Sequence, residues 1–201
     1  TDMDQAAKVA AFQKLHAEPG CFVIPNPWDL GSARMLEAMG FKALATTSAG
    51  YNLSRGQVDG DATVEDHFAH FRELCAGVDV PINADFENAY ADTAEGVADN
   101  IRLAAGTGLA GGSLEDYDGT AIYDMAEAVD RLTAAVAAAR AVNPPFVLTA
   151  RAENLIRGNP DLDDTIKRLQ AYQEAGADVL YAPGLKTAEE VRAVVSSVDR
   201  P

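Results

Sequence analysis

The segment Pro81–Tyr90, which reads P-I-N-A-D-F-E-N-A-Y, decides how the rest of the chain is interpreted. Its apolar start predicts a β-strand over Pro81–Asp85, followed closely by two carboxylates, Asp85 and Glu87. Because side chains alternate along a strand, residues 85 and 87 are expected to point to the same side. Two acids aimed at one place repel each other unless a cation lies between them, and Mg²⁺ prefers such oxygen ligands. The segment therefore predicts a strand that leads into a metal site.

The overall composition is that of a globular protein with an acidic surface. The chain has 201 residues and a net charge of -15, which argues against nucleic acid and anionic membranes as partners. The two cysteines, Cys21 and Cys75, form neither a disulfide framework nor a zinc-ligand cluster, and a reducing compartment fits them. No apolar run reaches membrane-spanning length, and no signal peptide precedes Asp4, so we expect a cytoplasmic protein.

A strand–loop–helix unit of about 30 residues recurs about six times along the chain. Strands are predicted at Cys21–Ile24, Phe41–Thr47, Pro81–Asp85, Leu109–Leu114, Phe146–Ala150 and Val179–Ala182. Helices are predicted at Asp4–His16, Leu30–Met39, Val64–Ala76, Thr93–Thr107, Met125–Val142, Leu162–Ala175 and Thr187–Val198, and a polar loop at Asn52–Ala62. Strands that alternate with helices indicate a parallel sheet.

Two architectures fit this rhythm, a doubly wound open sheet and a (β/α)8 TIM barrel. The barrel is favoured because the apolar strands run into polar or charged residues at their carboxyl ends, where barrel enzymes place their sites. We therefore expect residues 1–201 to form a single (β/α) barrel domain. A complete barrel of eight units typically needs about 250 residues. We accordingly expect the given chain, which stops at Pro201 where a seventh strand is due, to be incomplete.

Polar groups from several strand ends are expected to meet at that face. We expect Asp85 to bind Mg²⁺ (or Mn²⁺) directly and Glu87, Asp59 and Glu115 to hold its waters. The planar fork of Arg151 would grip a carboxylate or phosphoryl group of the substrate. Donors from Ser48, Ala49 and Gly50 could bind a carboxylate as well.

Simpler structural roles compete with these assignments. Asp29 and Asp116 suit helix caps, and any one of the acids could be a solvated loop residue. Arg151 could simply form an ion pair with Glu153 or Glu115, and Trp28 could be either a pocket wall or a core residue. His67 and His70 are three residues apart, but no third ligand is near in the sequence, so zinc is disfavoured.

A series of short motifs resembles the isocitrate lyase/phosphoenolpyruvate mutase superfamily, which includes carboxyvinyl-carboxyphosphonate phosphorylmutase-like proteins. The motifs are N-P-W-D-L-G-S-A (26–33), T-T-S-A-G-Y (46–51), the loop residue Asp59, A-D-F-E-N-A-Y (84–90), S-L-E-D (113–116), T-A-R-A-E-N (149–154) and A-G-A-D-V-L-Y-A-P-G (175–184).

The resemblance implies a TIM barrel, Mg²⁺, a small anionic 2-oxo acid substrate, and a homotetramer built from dimers that exchange the last helix. It assigns metal-site roles to Asp59, Asp85, Glu87 and Glu115, and substrate contacts to Arg151 and to either Trp28 or the turn that starts at Thr47 and ends at Gly50. We assign the catalytic roles to Arg151, Asp59 and Glu115.

The loop after the fourth predicted strand departs from the family pattern. It reads E-D-Y-D-G-T-A-I-Y-D (115–124), whereas lyase members carry a cysteine there with lysine and histidine, and mutases carry lysine and asparagine. This favours a Mg²⁺-dependent lyase or decarboxylase of a small, oxaloacetate-like 2-oxo dicarboxylate, near the oxaloacetate decarboxylase branch, acting through an enolate. A phosphoenolpyruvate or phosphonopyruvate mutase or hydrolase, and a non-catalytic 2-oxo acid binder, remain alternatives.

Overall fold

The computed structural model describes residues 4–201, in which one or two helices separate successive strands; residues 1–3 of the predicted domain lie outside the described residues. The strands are β1 (Leu44–Ala45), β2 (Ile82–Asp85), β3 (Gly111–Glu115), β4 (Val147–Arg151) and β5 (Val179–Tyr181). The helices are α1 (Gln5–Ala17), α2 (Leu30–Ala38), α3 (Ser48–Ser54), α4 (Val64–Gly77), α5 (Ala94–Ala105), α6 (Met125–Ala141), α7 (Leu162–Glu174) and α8 (Ala188–Val195). None of the helices in this part of the chain is long and apolar enough to cross a bilayer.

The five strands form one parallel sheet whose order follows the sequence, β1-β2-β3-β4-β5. A doubly wound sheet reverses its strand order at a switch point, and this sheet has no such reversal. Sequential parallel strands joined by helices are the wall of a (β/α) barrel, here about half of one. The predicted barrel architecture is therefore confirmed, and the doubly wound alternative is excluded for this wall.

Two local predictions are wrong. Residues Cys21–Ile24 do not join the sheet as a strand, although the Ala45 N–H donates to the Pro25 carbonyl at 3.1 Å. Pro25 and Pro27 have no N–H with which to return such a bond, so a ladder cannot form here. The predicted loop at 52–62 begins as helix, because α3 continues to Ser54.

The amino end of the half-barrel is closed by α1. Its residues Val9 and Phe12 are buried against Val147 and Val179, the first residues of β4 and β5. Lys8 fixes the helix by donating from Nζ to the carbonyls of Cys75 and Val78. Because α1 covers the amino ends of the strands, their carboxyl ends form the open end of the half-barrel.

Candidate active site

A cavity of about 530 Å³ lies on the inner side of the curled sheet. Alternate residues of the strands line it, as the pleat requires, because each second side chain points inward. From β2, β3 and β4 these are Asn83, Asp85, Ser113, Glu115, Thr149 and Arg151. The charged members Asp85, Glu115 and Arg151 are the last residues of their strands, so they lie together at the open end.

Arg151 is the centre of this cluster. Its Nη1 lies 3.3 Å from Asp85 Oδ1 and 3.2 Å from Glu115 Oε1, and its Nε pairs with Glu153 Oε1. The guanidinium side chain is only 16% exposed, so these ion pairs are poorly screened by water. One arginine thus joins carboxylates from β2, β3 and the turn after β4.

Glu87 reaches the site in a different way from the one predicted. The strand ends at Asp85, and Glu87 adopts a left-handed backbone with φ of 47°. The Glu115 N–H donates to its carbonyl at 2.8 Å and so helps hold this unfavourable conformation. Strand alternation therefore does not orient Glu87, although its carboxylate still faces the same group of acids.

Burial disfavours the charged forms of two of these acids. Burial, followed by the charges of Asp85 and Asp59, raises the pKa of Glu87 to about 7. Burial also raises the pKa of Glu115 to about 8, against the opposing effect of Arg151. The cluster holds more negative charge than its arginine offsets, which is the electrostatic setting that a cation stabilises.

A second cavity of about 320 Å³ adjoins the first and brings further acids next to the ones described above. Glu87 and Asp118 line this cavity, and Asp59 and Glu115 line both cavities. Within residues 4–201, no three His, Cys, Asp or Glu side chains are close enough to enclose a metal by themselves. Carboxylate oxygens are the ligand type that Mg²⁺ prefers, and an ion that keeps several of its waters needs few of them directly.

The turn into α3 contributes to the same wall. The Ser48 N–H donates to Asp85 Oδ2 at 2.9 Å, and Thr47 and Ala49 line the cavity. The Thr47 hydroxyl caps α3 by accepting from the Gly50 N–H. Gly50 and Trp28 are absent from the described walls of both cavities: Trp28 is 48% exposed and packs so close to Gly50 that an added Cβ would lie 2.4 Å from its ring.

Asp116 is a buried anchor behind the site. The interpretation of Asp29 as a helix cap is confirmed, because it caps α2, but the same interpretation of Asp116 is wrong. The Asp116 carboxylate accepts hydrogen bonds from the Glu153 N–H at 2.8 Å, from Arg168 at 3.0 Å and from the Tyr172 hydroxyl. These bonds hold the turn that follows β4.

Arg157 and Tyr181 line the first cavity but were not among the predicted site residues. Arg157 lies four residues after Glu153, and this i,i+4 charge pair in a loop after a strand was the available signal. Tyr181 ends β5, and its ring lies 5.1 Å from the Arg151 guanidinium carbon. An aromatic residue at a strand end carries little specific signal in a sequence.

Acidic groups and an arginine at the carboxyl ends of barrel strands define the chain as an α/β-barrel protein with an enzyme-like anionic site. The model of the phosphoenolpyruvate phosphomutase family matches residues 12–201. The chain therefore belongs to this family, within the isocitrate lyase/phosphoenolpyruvate mutase superfamily, as the sequence motifs predicted.

Individual relatives agree with this placement. A Mycobacterium tuberculosis (strain CDC 1551 / Oshkosh) protein is 30% identical over 95% of this chain and 72% of its own length. A crystal structure of a protein from Burkholderia cenocepacia J2315 has a TM-score of 0.95 and 52% identity over 98% of this chain and 72% of that one.

Several relatives are named for reactions of small acids. Oxaloacetate acetylhydrolase in complex with its product oxalate has a TM-score of 0.87 and 30% identity, covering 98% of this chain and 70% of that one. Phosphonopyruvate hydrolase with oxalate and Mg²⁺ has a TM-score of 0.84 and 25% identity, covering 99% and 71%. A 2,3-dimethylmalate lyase of Eubacterium barkeri is 28% identical, over 98% of this chain and 69% of its own length.

Proposed function

We propose that the protein is a Mg²⁺-dependent lyase that breaks a carbon–carbon bond of a small 2-oxo dicarboxylate, with decarboxylation of an oxaloacetate-like acid as its reaction. The observation that carries the proposal is the open-ended cluster of Asp59, Asp85, Glu87 and Glu115 around Arg151. Mg²⁺ held by these acids would supply a Lewis acid for the 2-oxo group and for the enolate that bond cleavage leaves.

The residues of the chain have distinct tasks in this proposal. Arg151 orients the substrate's carboxylate through Nη2, the nitrogen that its ion pairs with Asp85, Glu115 and Glu153 leave for a ligand. Asp85 holds the ion at the end of β2, while the Ser48 N–H steadies its carboxylate. Asp59 and Glu115 line both cavities, where they would bind the waters of the ion.

The loop after β3 supports decarboxylation over the other lyase reactions. Its residues 117–124 include no cysteine, lysine or histidine. The Asp118 carboxylate accepts backbone N–H bonds from Ala121 and Thr120, and these hydrogen bonds lower its pKa. The Tyr117 hydroxyl donates to the Gly119 carbonyl. Decarboxylation needs an electron sink more than a proton donor, so such a loop suffices for it.

Pyruvate formation from oxaloacetate tests the proposal. The protein is incubated with oxaloacetate and Mg²⁺, and pyruvate is followed above the spontaneous rate. Asp85→Ala should abolish the added rate, as should EDTA, whereas Asp99→Ala should not, because Asp99 is an exposed acid on α5. An enzymatic rate that survives both EDTA and Asp85→Ala would refute the metal assignment.

A phosphonate substrate is the second candidate, favoured by the similarity to phosphonopyruvate hydrolase over almost the whole chain. The Nη2 group of Arg151 can donate to phosphonate oxygens as well as to carboxylate oxygens. Phosphorus NMR on phosphonopyruvate and phosphoenolpyruvate separates this reaction from decarboxylation. Tight oxalate binding without turnover of any of these acids would instead indicate a binding protein.

A further inference from the structure

Arg157 is a second arginine at the mouth of the site. It lies in the turn after β4 and lines both cavities. Its Nε donates to Glu153 Oε2 at 3.0 Å, while Arg151 pairs with the other oxygen of the same carboxylate. Glu153 is fully buried, so two guanidinium groups flank one enclosed charge.

The two arginines differ in the donors they have left. Arg151 is 16% exposed and pairs with three carboxylates, whereas Arg157 is 37% exposed and pairs with Glu153. Within residues 4–201, neither Nη1 nor Nη2 of Arg157 donates a hydrogen bond. These two nitrogens form the outer edge of a planar fork, which is the edge that binds a carboxylate in two places.

The position of Arg157 is fixed before any ligand arrives. Its guanidinium carbon lies 4.2 Å from the centre of the Tyr117 ring, a cation–π contact. Its backbone N–H donates to the Glu153 carbonyl at 3.1 Å. The buried Asn154 side chain closes the same turn by donating to the carbonyls of Asn159 and Asp161. A side chain held in this way loses little entropy when it binds an anion.

Arg157 is the positively charged group that an anionic group at the far end of a substrate (its tail) would meet. The residues that line both cavities are Ser48, Asp59, Glu115 and Arg157. Arg157 is the cation of this set. The second cavity is otherwise acidic, with Glu87 and Asp118, so a negatively charged tail is repelled from it except near Arg157.

We propose that Arg157 binds the distal carboxylate of the substrate and thereby selects 2-oxo dicarboxylates over 2-oxo monocarboxylates. The inference rests on the proposed function, because it takes the 2-oxo acid end to lie at Arg151. The carboxylate that leaves as carbon dioxide gives up its negative charge in the transition state, so its pairing with Arg157 weakens there and contributes to substrate binding and not to the chemical step. Removal of Arg157 therefore raises KM and does not lower kcat.

Binding of two probes that differ in the tail tests the assignment. Calorimetry with Mg²⁺ compares oxalate, which has no tail, with 3,3-difluorooxaloacetate, the inhibitor bound in a relative. Arg157→Gln should weaken binding of the longer acid by about tenfold or more and that of oxalate by less than about threefold. Arg157→Lys should fall between the wild type and Arg157→Gln for the longer acid.

Arg140→Gln is the matched control, because Arg140 pairs with Asp178 outside the walls of both cavities. It should change neither affinity. An equal loss for both probes in Arg157→Gln would show that Arg157 only positions Arg151 through Glu153, and would overturn the proposal. Wild-type protein that binds the longer acid no better than Arg157→Gln does would overturn it too. Differential binding without oxaloacetate turnover would refute the proposed reaction while supporting the role of Arg157.

Discussion

Replacement of His70 by phenylalanine should make the protein more resistant to acid. His70 lies in α4, where it is 3% exposed and its ring stacks on Tyr51 at 4.0 Å between centroids. Its buried Nε2 has no hydrogen-bond partner among the described residues. Burial, followed by the charge of His67, lowers the pKa of His70 to about 4 from 6.5.

The sign of the effect follows from proton uptake in the two states. The unfolded chain protonates this imidazole as pH falls below about 6.5, whereas the folded protein does not until about pH 4. The stability contributed by neutral His70 is therefore fully present above pH 6.5 and is lost as pH falls toward 4. Between pH 7.5 and 5 the loss amounts to about 2 kcal/mol. In a protein of this size that is about 4–8 °C in Tm.

Thermal unfolding followed by circular dichroism at pH 7.5 and pH 5 measures this loss. The fall in Tm between the two pH values should be about 4–8 °C smaller in His70→Phe than in the wild type. Effects of titrating groups that do not interact with His70 cancel in that difference. His70→Gln, which is polar but does not titrate, should behave like His70→Phe. The same fall in Tm in all three proteins would refute the reasoning.

Three further outcomes are expected at other positions. Asp85→Asn should reduce Mg²⁺-dependent turnover by about 100-fold or more, since even outer partners of a metal contribute 10–100-fold, and Mg²⁺ titration should show weaker binding. Asp116→Ala should lower the free energy of unfolding in urea by about 3–5 kcal/mol, because it removes one of the two carboxylates paired with buried Arg168 and leaves the Glu153 N–H and the Tyr172 hydroxyl without their acceptor. Gly111→Ala should cost about 1–3 kcal/mol in the same assay, because its Cβ would lie 2.3 Å from the Val147 carbonyl oxygen.

For these variants, the following results and control decide whether the stated reasoning holds. Unchanged Mg²⁺ affinity in Asp85→Asn would remove Asp85 from the metal site. If Asp116→Ala unfolds at the same urea concentration as the wild type, the ion pair with Arg168 makes no net contribution to the free energy of unfolding. Gly31→Ala is the control for Gly111→Ala, since its Cβ would meet only Asp29 Oδ1 at 3.4 Å within α2, and its stability should not fall.

The barrel wall was predictable because each of its signals is local. Apolar segments such as Phe146–Ala150, each followed by a capped helix, specify parallel strands without knowledge of their neighbours. The segment Cys21–Ile24 carries the same apolar signal. Whether it pairs depends on the N–H groups that Pro25 and Pro27 lack, and on the short β1 beside it.

The site was partly predictable from strand ends and partly not. Asp85, Glu115 and Arg151 end their strands, so sequence position alone brings them together. Glu87 was assigned to the same cluster through strand alternation, which does not apply beyond Asp85; its left-handed backbone depends on contacts that are distant in sequence. Arg157 required knowledge of the turn that folds it back over Glu153.

The ion pairs of Arg151 have a consequence for how the protein tolerates change. They join the ends of β2 and β3 to the turn after β4, so the groups proposed for chemistry also fasten neighbouring strands to one another. Selection for activity and selection for a folded barrel therefore act on the same atoms. An altered reaction is more easily acquired by changing the turn that carries Arg157, or the loop at 117–124, than by changing the strand ends themselves.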